Sequence, residues 1–479
     1  MLRPVCEWSA PVGLSDMALG LTQRIETVAE TLTAPFSEGV IRIGVTGLAR
    51  SGKTVFITSL VANLLDRGRM GQWGAAARVE AAYLQPQPDD TVPRFDFEAH
   101  LADLTGAAPK WPDSTRAVSE LRVSLKVRPQ GLLGAVSGPR TVHVDIVDYP
   151  GEWLLDLGLM EKSYAHWSRE TLARMAERDE AAEFLAALSE GAVRGPHDEA
   201  LAQRLTRVFT GALQAARAAG YSDCTPGRFL MPGELEGAPA LTFVPLPEGA
   251  APRGSLAREM ARRYEAYKAQ IVRPFFRDHF AKIDRQVVLV DVLGAIHAGP
   301  AAVEDLRRAM AETLVAFRPG GNGFLTRLLR GRQVERILFA ATKADHLHHS
   351  QHGRLTGIME ALVRQARDRA DFAGAKTAAL SIAALRATVE QTLSHDGQEL
   401  DCVRGTLLDS GKQAAFYPGE LPDDPAALLG PARAGAAKWL DADWKVMRFA
   451  PAPLTRKPGE GPPHIRLDRA AEFLLGDRL

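Results

Sequence analysis

The sequence predicts an α/β protein. Its sheet is mostly parallel with one antiparallel strand, a large and mainly helical insertion interrupts it, and a C-terminal extension follows. Three observations predict this. A β-branched run, Ile41 to Thr46, leads through a Gly-rich turn into an apolar helical stretch from Val55 to Leu65. Two alternating segments, Glu120 to Val127 and Thr141 to Val147, are joined by a Gly/Pro-containing turn, as in an antiparallel pair. Farther on, the apolar strands Gln286 to Leu293 and Val334 to Ala341 alternate with helical patterns, as in a parallel sheet buried on both faces.

The whole chain sets limits. At 479 residues it is long enough for two or more domains. Its 58 Lys and Arg balance 58 Asp and Glu, so nothing global argues for nucleic acid or a polyanionic surface. Cys6, Cys224 and Cys402 are too few and too scattered for a disulfide framework or a zinc site, and they suit a reducing cytosol. The N-terminus lacks a positive region followed by an apolar core, so no secretory signal is expected. No run of about 18 apolar residues occurs, so membrane contact would be peripheral or through a partner.

Leu14 to Leu32 has apolar residues at helical spacing, with Asp16 as a candidate cap. Its polar face is not basic, so it reads as a helix on the core rather than on a membrane. Then comes Gly47-Leu48-Ala49-Arg50-Ser51-Gly52-Lys53-Thr54, which has G-x-x-x-x-G-K-[ST] spacing between a strand and a helix. Such a P-loop wraps a phosphate with backbone N–H groups, and the helix start adds its dipole. Ala49, Arg50, Ser51 and Val55 share that wall. Lys53 reaches the β- and γ-phosphates, and the Thr54 hydroxyl ligates Mg²⁺. Val79 to Ala108 is Pro-rich and weakly patterned, apart from a short helix at Phe95 to Leu104.

The second strand of the antiparallel pair ends in Asp148-Tyr149-Pro150-Gly151-Glu152. A carboxylate at such a tip holds Mg²⁺, usually through water, and Gly151 brings a backbone N–H toward a γ-phosphate. The plain alternative is an ordinary strand-to-loop turn. Trp153 to Asp284 is rich in helix formers: Ser168 to Leu188, Asp198 to Ala219, and a stretch capped by Ser255 that kinks near Pro274. A short strand is expected at Leu241 to Val244. This insertion either only packs, or binds a partner or senses the γ-phosphate. Asp291 and Gly294 form a second D-x-x-G, read as a decoy because Asp291 lies inside the apolar run. The expected organisation is 1–38 as an N-terminal helical segment, 39–152 with 283–400 as the nucleotide domain, 153–282 as the insertion and 401–479 as the extension.

Thr342-Lys343-Ala344-Asp345 follows the strand Val334 to Ala341. An [NT]-K-x-D loop at a strand tip recognises guanine: the carboxylate accepts from the ring N1–H and the exocyclic amine, which adenine does not offer. The Lys343 stem lies over the base plane. Ser381, Ile382 and Ala383, after the next strand, are placed to bring a backbone N–H to the guanine oxygen. His346, His348, His349 and His352 crowd the following loop; metal binding is one reading, but no Cys or carboxylate beyond Asp345 completes the set, and a solvated loop explains them. Asp409-Ser410-Gly411-Lys412 lacks the first Gly and the final hydroxyl of a phosphate loop. In the Pro-rich tail, Arg448 to Leu454 reads as extended and Leu467 to Leu475 as helical, and the aromatics Trp439 and Trp444 argue that the tail packs on the body.

GLARSGKT (47–54), WPDST (111–115), DYPGEW (148–153), TKAD (342–345) and the ending HIRLDRAAEFLLGDRL (464–479) closely resemble the YcjX-like family of bacterial P-loop GTP-binding proteins. The resemblance implies a Ras-like domain, guanine nucleotide (GTP or GDP) as ligand, and a link to bacterial stress responses with a membrane-associated protein partner. The implied location is cytoplasmic, or peripheral at the inner membrane through that partner. By position, Thr115 resembles the switch-one threonine that ligates Mg²⁺, with a turn cap as its plain alternative. Thr54, Thr115 and Asp148 would hold the metal, with Lys53, Gly151 and Glu152 beside the reacting phosphate. A Ras-type site carries a water-orienting glutamine where this chain has Glu152, whose charge opposes a triphosphate unless it points away. Arg50 and Arg116 are candidates for stabilising transition-state charge or are surface residues. The reading is a slow Mg²⁺-dependent GTPase acting as a switch. Its alternatives are a nucleotide-gated binding module with little hydrolysis, or an ATPase.

Overall fold

The computed structural model describes residues 39–47, 50–113, 117–129, 138–189, 195–313, 334–372, 374–436, 444–454 and 457–479. The expected helix at Leu14 to Leu32, together with Ala49, Thr115, Arg116 and Trp439, lies outside the described residues.

Seven strands form the main sheet: β1 (Gly39–Gly47), β2 (Val79–Gln85), β3 (Ser119–Val127), β4 (Arg140–Asp148), β5 (Arg285–Val290), β6 (Arg336–Ala341) and β7 (Lys376–Ser381). Their order is β2-β3-β4-β1-β5-β6-β7. From β4 to β7 every pairing is parallel, while β3 is antiparallel to both β2 and β4, so β3 alone runs against the rest. Edge strand β2 was not expected. It pairs on one side only, its register slips between Val79 and Ala81, and its alanines carry little β pattern.

The central strands are apolar on both sides because both faces are covered. Val287 and Leu289 of β5 pack with Phe56, Ile57 and Leu60 of the helix Lys53–Leu65. Val288 and Val290 face the other way, onto Leu293, Met310, Ile358 and Leu428. The C-terminal helix Leu467–Leu475 buries Leu467, Ala470, Ala471 and Leu474 in the same cluster as the Lys53–Leu65 helix.

The insertion has its own aromatic core, with Trp167, Phe209, Phe243, Tyr264 and Tyr267 nearly or fully buried. Several expected elements change there. The stretch Ser168 to Leu188 is two helices, Tyr164–Ala176 and Ala182–Ser189. The chain leaves the helix between them at Arg178, which donates to the Asp223 carbonyl at 3.0 Å and to Asp305 at 2.5 Å. Leu241 to Val244 is not a strand but the end of a 3₁₀ turn, Pro239–Leu241, and an extended run. Its carbonyls are satisfied by side chains instead of a ladder: Arg263 donates to Thr242 at 3.1 Å and Tyr164 to Val244 at 2.8 Å. Ser255 caps Leu256–Tyr267 as expected, and a π-helical turn, Lys268–Val272, precedes Pro274.

A further correction follows the same logic. Strand β5 stops at Val290, because the Asp291 carboxylate accepts from the Gly294 N–H at 2.9 Å and caps the helix Val292–Ala298. Between β6 and β7 the chain forms two helices, His352–Leu362 and Arg364–Phe372, interrupted at Val363. A second sheet, unexpected from the sequence, joins β8 (Val389–His395), β9 (Gln398–Thr406) and β10 (Gln413–Phe416) in the order β10-β9-β8. The expected boundary at 400/401 falls inside β9, since the β8–β9 hairpin pairs 389–395 with 398–404. Asp409 to Lys412 is the turn between β9 and β10.

Candidate functional site

All four parallel strands β1, β5, β6 and β7, and β4 with them, end on one side of the sheet. A cavity of about 410 Å³ opens there, in the crevice outside the carboxyl ends where open α/β sheets bind ligands. It runs from the Gly47–Val55 loop to Thr342, Lys343 and Asp345, so one wall joins the two motifs.

At the loop end, two residues take left-handed backbone: Arg50 (φ 62°) and Gly52 (φ 77°). That geometry costs a residue such as Arg50 about 1–3 kcal/mol. The helix Lys53–Leu65 starts at Gly52 with no side-chain cap and no acid in its first turn. An uncapped helix start without a nearby acid suits an anion, because the helix dipole places its positive end there. A Cβ on Gly47 would collide with the Ser51 side chain, and one on Gly151 would collide with the Gly47 carbonyl oxygen. Gly151 therefore lets the two segments touch, and Gly47 lets the loop close on Ser51. Parallel pairing of β1 with β4 sets Val45 beside Asp148, whose Oδ1 lies 2.8 Å from Lys53 Nζ. Asp148 is 1% exposed, and Thr54 lines the cavity.

The segment after Gly151 is gripped by the insertion. Glu152 lies in the cavity wall and pairs with Arg217 at 2.8 Å. Arg217 sits in the last turn of the helix Glu199–Ala219. The Arg228 guanidinium lies over the Trp153 ring, 3.2 Å from its centre. Asp156 accepts from the Gly227 N–H at 2.8 Å and from the Tyr267 hydroxyl at 2.5 Å, and burial pushes its carboxyl up to about 7. Gly227 is packed so closely on the Glu152 carbonyl that a Cβ there would collide with it.

At the other end, Thr342 and Lys343 follow β6. The Thr342 N–H donates to the Val290 carbonyl at 2.9 Å. Lys343 has left-handed backbone (φ 59°), and its ammonium bonds Asp291, the aspartate of the second D-x-x-G. Asp345 is buried, and its Oδ2 accepts from the Ala387 N–H at 2.8 Å. The Thr388 hydroxyl donates to the Asp345 carbonyl. Burial depresses the pKa of His346, which lines the cavity and meets the edge of Phe449 at 5.3 Å between ring centres.

Ser381 and Ile382 do not reach the cavity wall, whereas Ala383, Ala384 and Leu385 do. The Ser381 hydroxyl donates to the His352 carbonyl, and the Ile382 N–H donates to Ala341. The Ala383 N–H donates to Ile465 at 3.1 Å, so the N–H groups of Ile382 and Ala383 are engaged within the protein. Sequence reasoning also missed Arg217, Arg448 and Phe449. The segment 448–450 adds to the end of β9 through Leu408 N–H to Arg448 and Ala450 N–H to Thr406, each 2.8 Å. The Trp111 indole N–H donates to the Phe449 carbonyl at 2.7 Å. Tryptophan in WPDST was a hint; nothing in the sequence near Arg217 or Arg448 marks either as a wall of this cavity.

A Gly-rich loop opening a helix, a carboxylate at the neighbouring strand's tip and a mostly parallel sheet define the chain as a P-loop NTPase-like α/β protein. It belongs to the YcjX-like family, DUF463, which matches residues 41–479. It is 35% identical over 469 residues to the "Ras-like GTPase YcjX" of Escherichia coli (strain K12), covering 94% of this chain and 98% of that protein. It is 32% identical over 497 residues to the "Ras-like GTPase YcjX" of Shewanella oneidensis, covering 98% and 100%. The fold class and the family read from the sequence are both borne out. No helix among the described residues is long and apolar enough to cross a membrane.

Proposed function

We propose that the chain binds guanine nucleotide with Mg²⁺, hydrolyses GTP slowly, and works as a nucleotide-dependent switch. The supporting observation is the single cavity that joins the Gly47–Val55 loop to Asp345. Relatives whose names include "Ras-like GTPase" support the same reading. The loop N–H groups and Lys53 take the phosphates. Asp345 takes the base, because the Ala387 N–H holds its Oδ2 in place and adenine would offer no donor to the rest of the carboxylate. Thr54 and Asp148 offer the hard oxygen donors that suit Mg²⁺, with Thr115 as a third by family position. Bound there, Mg²⁺ would neutralise phosphate charge. Lys53 exchanges Asp148 for a phosphate when nucleotide enters.

Glu152 lies beside the phosphates, and its pairing with Arg217 offsets the charge that would otherwise repel them. The same pairing favours a second reading, a nucleotide-gated binding module with little hydrolysis, because a carboxylate held by arginine is poorly placed to orient water. A role in stress responses and a membrane-associated protein partner are carried by the family resemblance. Calorimetric titration with GDP and with ADP in Mg²⁺ tests the ligand. Tight GDP and absent ADP binding is expected; equal affinity, or a preference for ADP, moves the chain to the ATPases. Single-turnover GTP hydrolysis then separates the switch that hydrolyses from the module that does not.

A further inference from the structure

We propose that His348, His349 and Glu390 form a binding site for Zn²⁺ between the loop after Asp345 and the small sheet. In sequence the histidines have no carboxylate to complete a set. Folding supplies one from β8. Glu390 Oε2 lies 2.7 Å from His349 Nδ1 and 3.8 Å from His348 Nε2. One ligand atom from each of the three residues falls within 4.8 Å of the others. Zinc bonds of about 2.0–2.2 Å in a tetrahedron set ligand atoms about 3.3 Å apart, so small side-chain rotations suffice.

A supporting shell orients the key ligand. His348 Nδ1 lies 3.1 Å from Asp401 Oδ2 and 2.9 Å from Ser350 Oγ, and the Ser350 hydroxyl donates to the same Asp401 oxygen at 3.1 Å. In the tautomer that donates its Nδ1–H to Asp401, the Nε2 lone pair would face Glu390, as in carboxylate–histidine–zinc triads. A lone pair facing a carboxylate oxygen calls for a cation between them. Arg386 lies 3.4 Å from the other Glu390 oxygen, Oε1, and leaves Oε2 to the histidines. The β8–β9 register sets Thr392 opposite Asp401, so Glu390 and Asp401 share one face of the hairpin. His348 is 11% exposed and His349 68%, giving a sheltered ligand and an open side for a water as fourth ligand. Two imidazoles with one carboxylate select zinc over Mg²⁺.

The position has a consequence for the base end. Ala387 and Thr388, which hold Asp345, immediately precede β8 and Glu390. A metal fixing Glu390 to His348 would stiffen that contact. This consequence rests on the guanine reading, whereas the metal site does not.

The test is Zn²⁺ titration of tag-free, chelator-treated full-length protein against a chromophoric competitor. Stoichiometric binding and a zinc-dependent rise in Tm are expected. His348→Ala or Glu390→Gln should abolish stoichiometric binding, and Asp401→Asn should weaken it about 10- to 100-fold. His349→Ala, at an exposed position, serves if the buried variants do not fold, and should also lose the metal. His395→Ala should bind as the parent does. No stoichiometric zinc, or zinc held equally by His349→Ala and the parent, overturns the site. GDP titration of the same samples keeps the readings apart: zinc without GDP binding would sink only the guanine reading.

Discussion

The two ends of the cavity are built in different ways. At the phosphate end the charged groups are held as ion pairs with one another, Lys53 with Asp148 and Glu152 with Arg217. Such partners can be exchanged for phosphate and metal without leaving a buried charge alone. At the base end one ion pair, Lys343 with Asp291, is joined by hydrogen bonds from distant segments: Asp345 is fixed by Ala387 and Thr388, Ala383 by Ile465, and Phe449 by Trp111. Those bonds are not replaced by a nucleotide. On the proposed function, this contrast would place switching at the phosphate end, through the insertion, and recognition at a preformed base end.

The largest effect that tests this contrast is at Lys53. Lys53→Ala removes a charge-assisted hydrogen bond to phosphate and should weaken GTP and GDP binding about 100-fold, read with a fluorescent nucleotide. It should leave GDP-over-ADP preference intact in whatever binding remains. Asp345→Asn does the converse. It should cost GDP about 10- to 100-fold and leave ADP unchanged, since only guanine uses the lost acceptor. Parallel losses of GDP and ADP in Asp345→Asn would mean that the base end is not a recognition site.

The loop end of the cavity was legible as a motif because its signal is contiguous. Gly47 to Thr54 and Asp148 to Gly151 are short motifs whose residues act locally, and β1 and β4 pair directly. The sheet was legible for the same reason: apolar runs buried on both faces leave a strong pattern. The missed elements depend on distant partners. Leu241 to Val244 has strand composition, but Arg263 and Tyr164 satisfy its carbonyls. Asp291 looked like a stray D-x-x-G and is a helix cap that also holds Lys343. Arg217 was invisible because a basic residue in the last turn of a helix is ordinary. Only folding brings it against Glu152.

Arg217 gives the next test of the comparison. Arg217→Ala would leave the Glu152 carboxylate uncompensated beside the phosphates. GTP, with one more phosphate than GDP, should then lose about tenfold in affinity relative to GDP, as expected for a nearby like charge at an effective dielectric near 20. Adding Glu152→Gln should restore the ratio. If the double variant stays as weak as Arg217→Ala, arginine acts on the phosphate itself rather than through Glu152.

The smallest effect on nucleotide binding is expected at Asp156, which fastens the segment after Gly151 to the insertion. Burial raises its folded-state pKa from the ordinary 3.8 to about 7. Between those values the folded chain holds a proton that the unfolded chain has released. The stabilising contribution is therefore fully present below about pH 4 and is lost as pH rises through 7. Between pH 5 and 8 the parent's Tm should fall by a few degrees more than that of Asp156→Asn, whose side chain is neutral throughout. The amide can still accept from Gly227 and meet the Tyr267 hydroxyl, so GDP affinity at pH 7 should change less than about twofold. Identical Tm profiles would place the carboxylate's titration outside this window. A large loss of GDP affinity would show that the insertion is coupled to the bound diphosphate as well, and that the division between a switching end and a recognising end is too sharp.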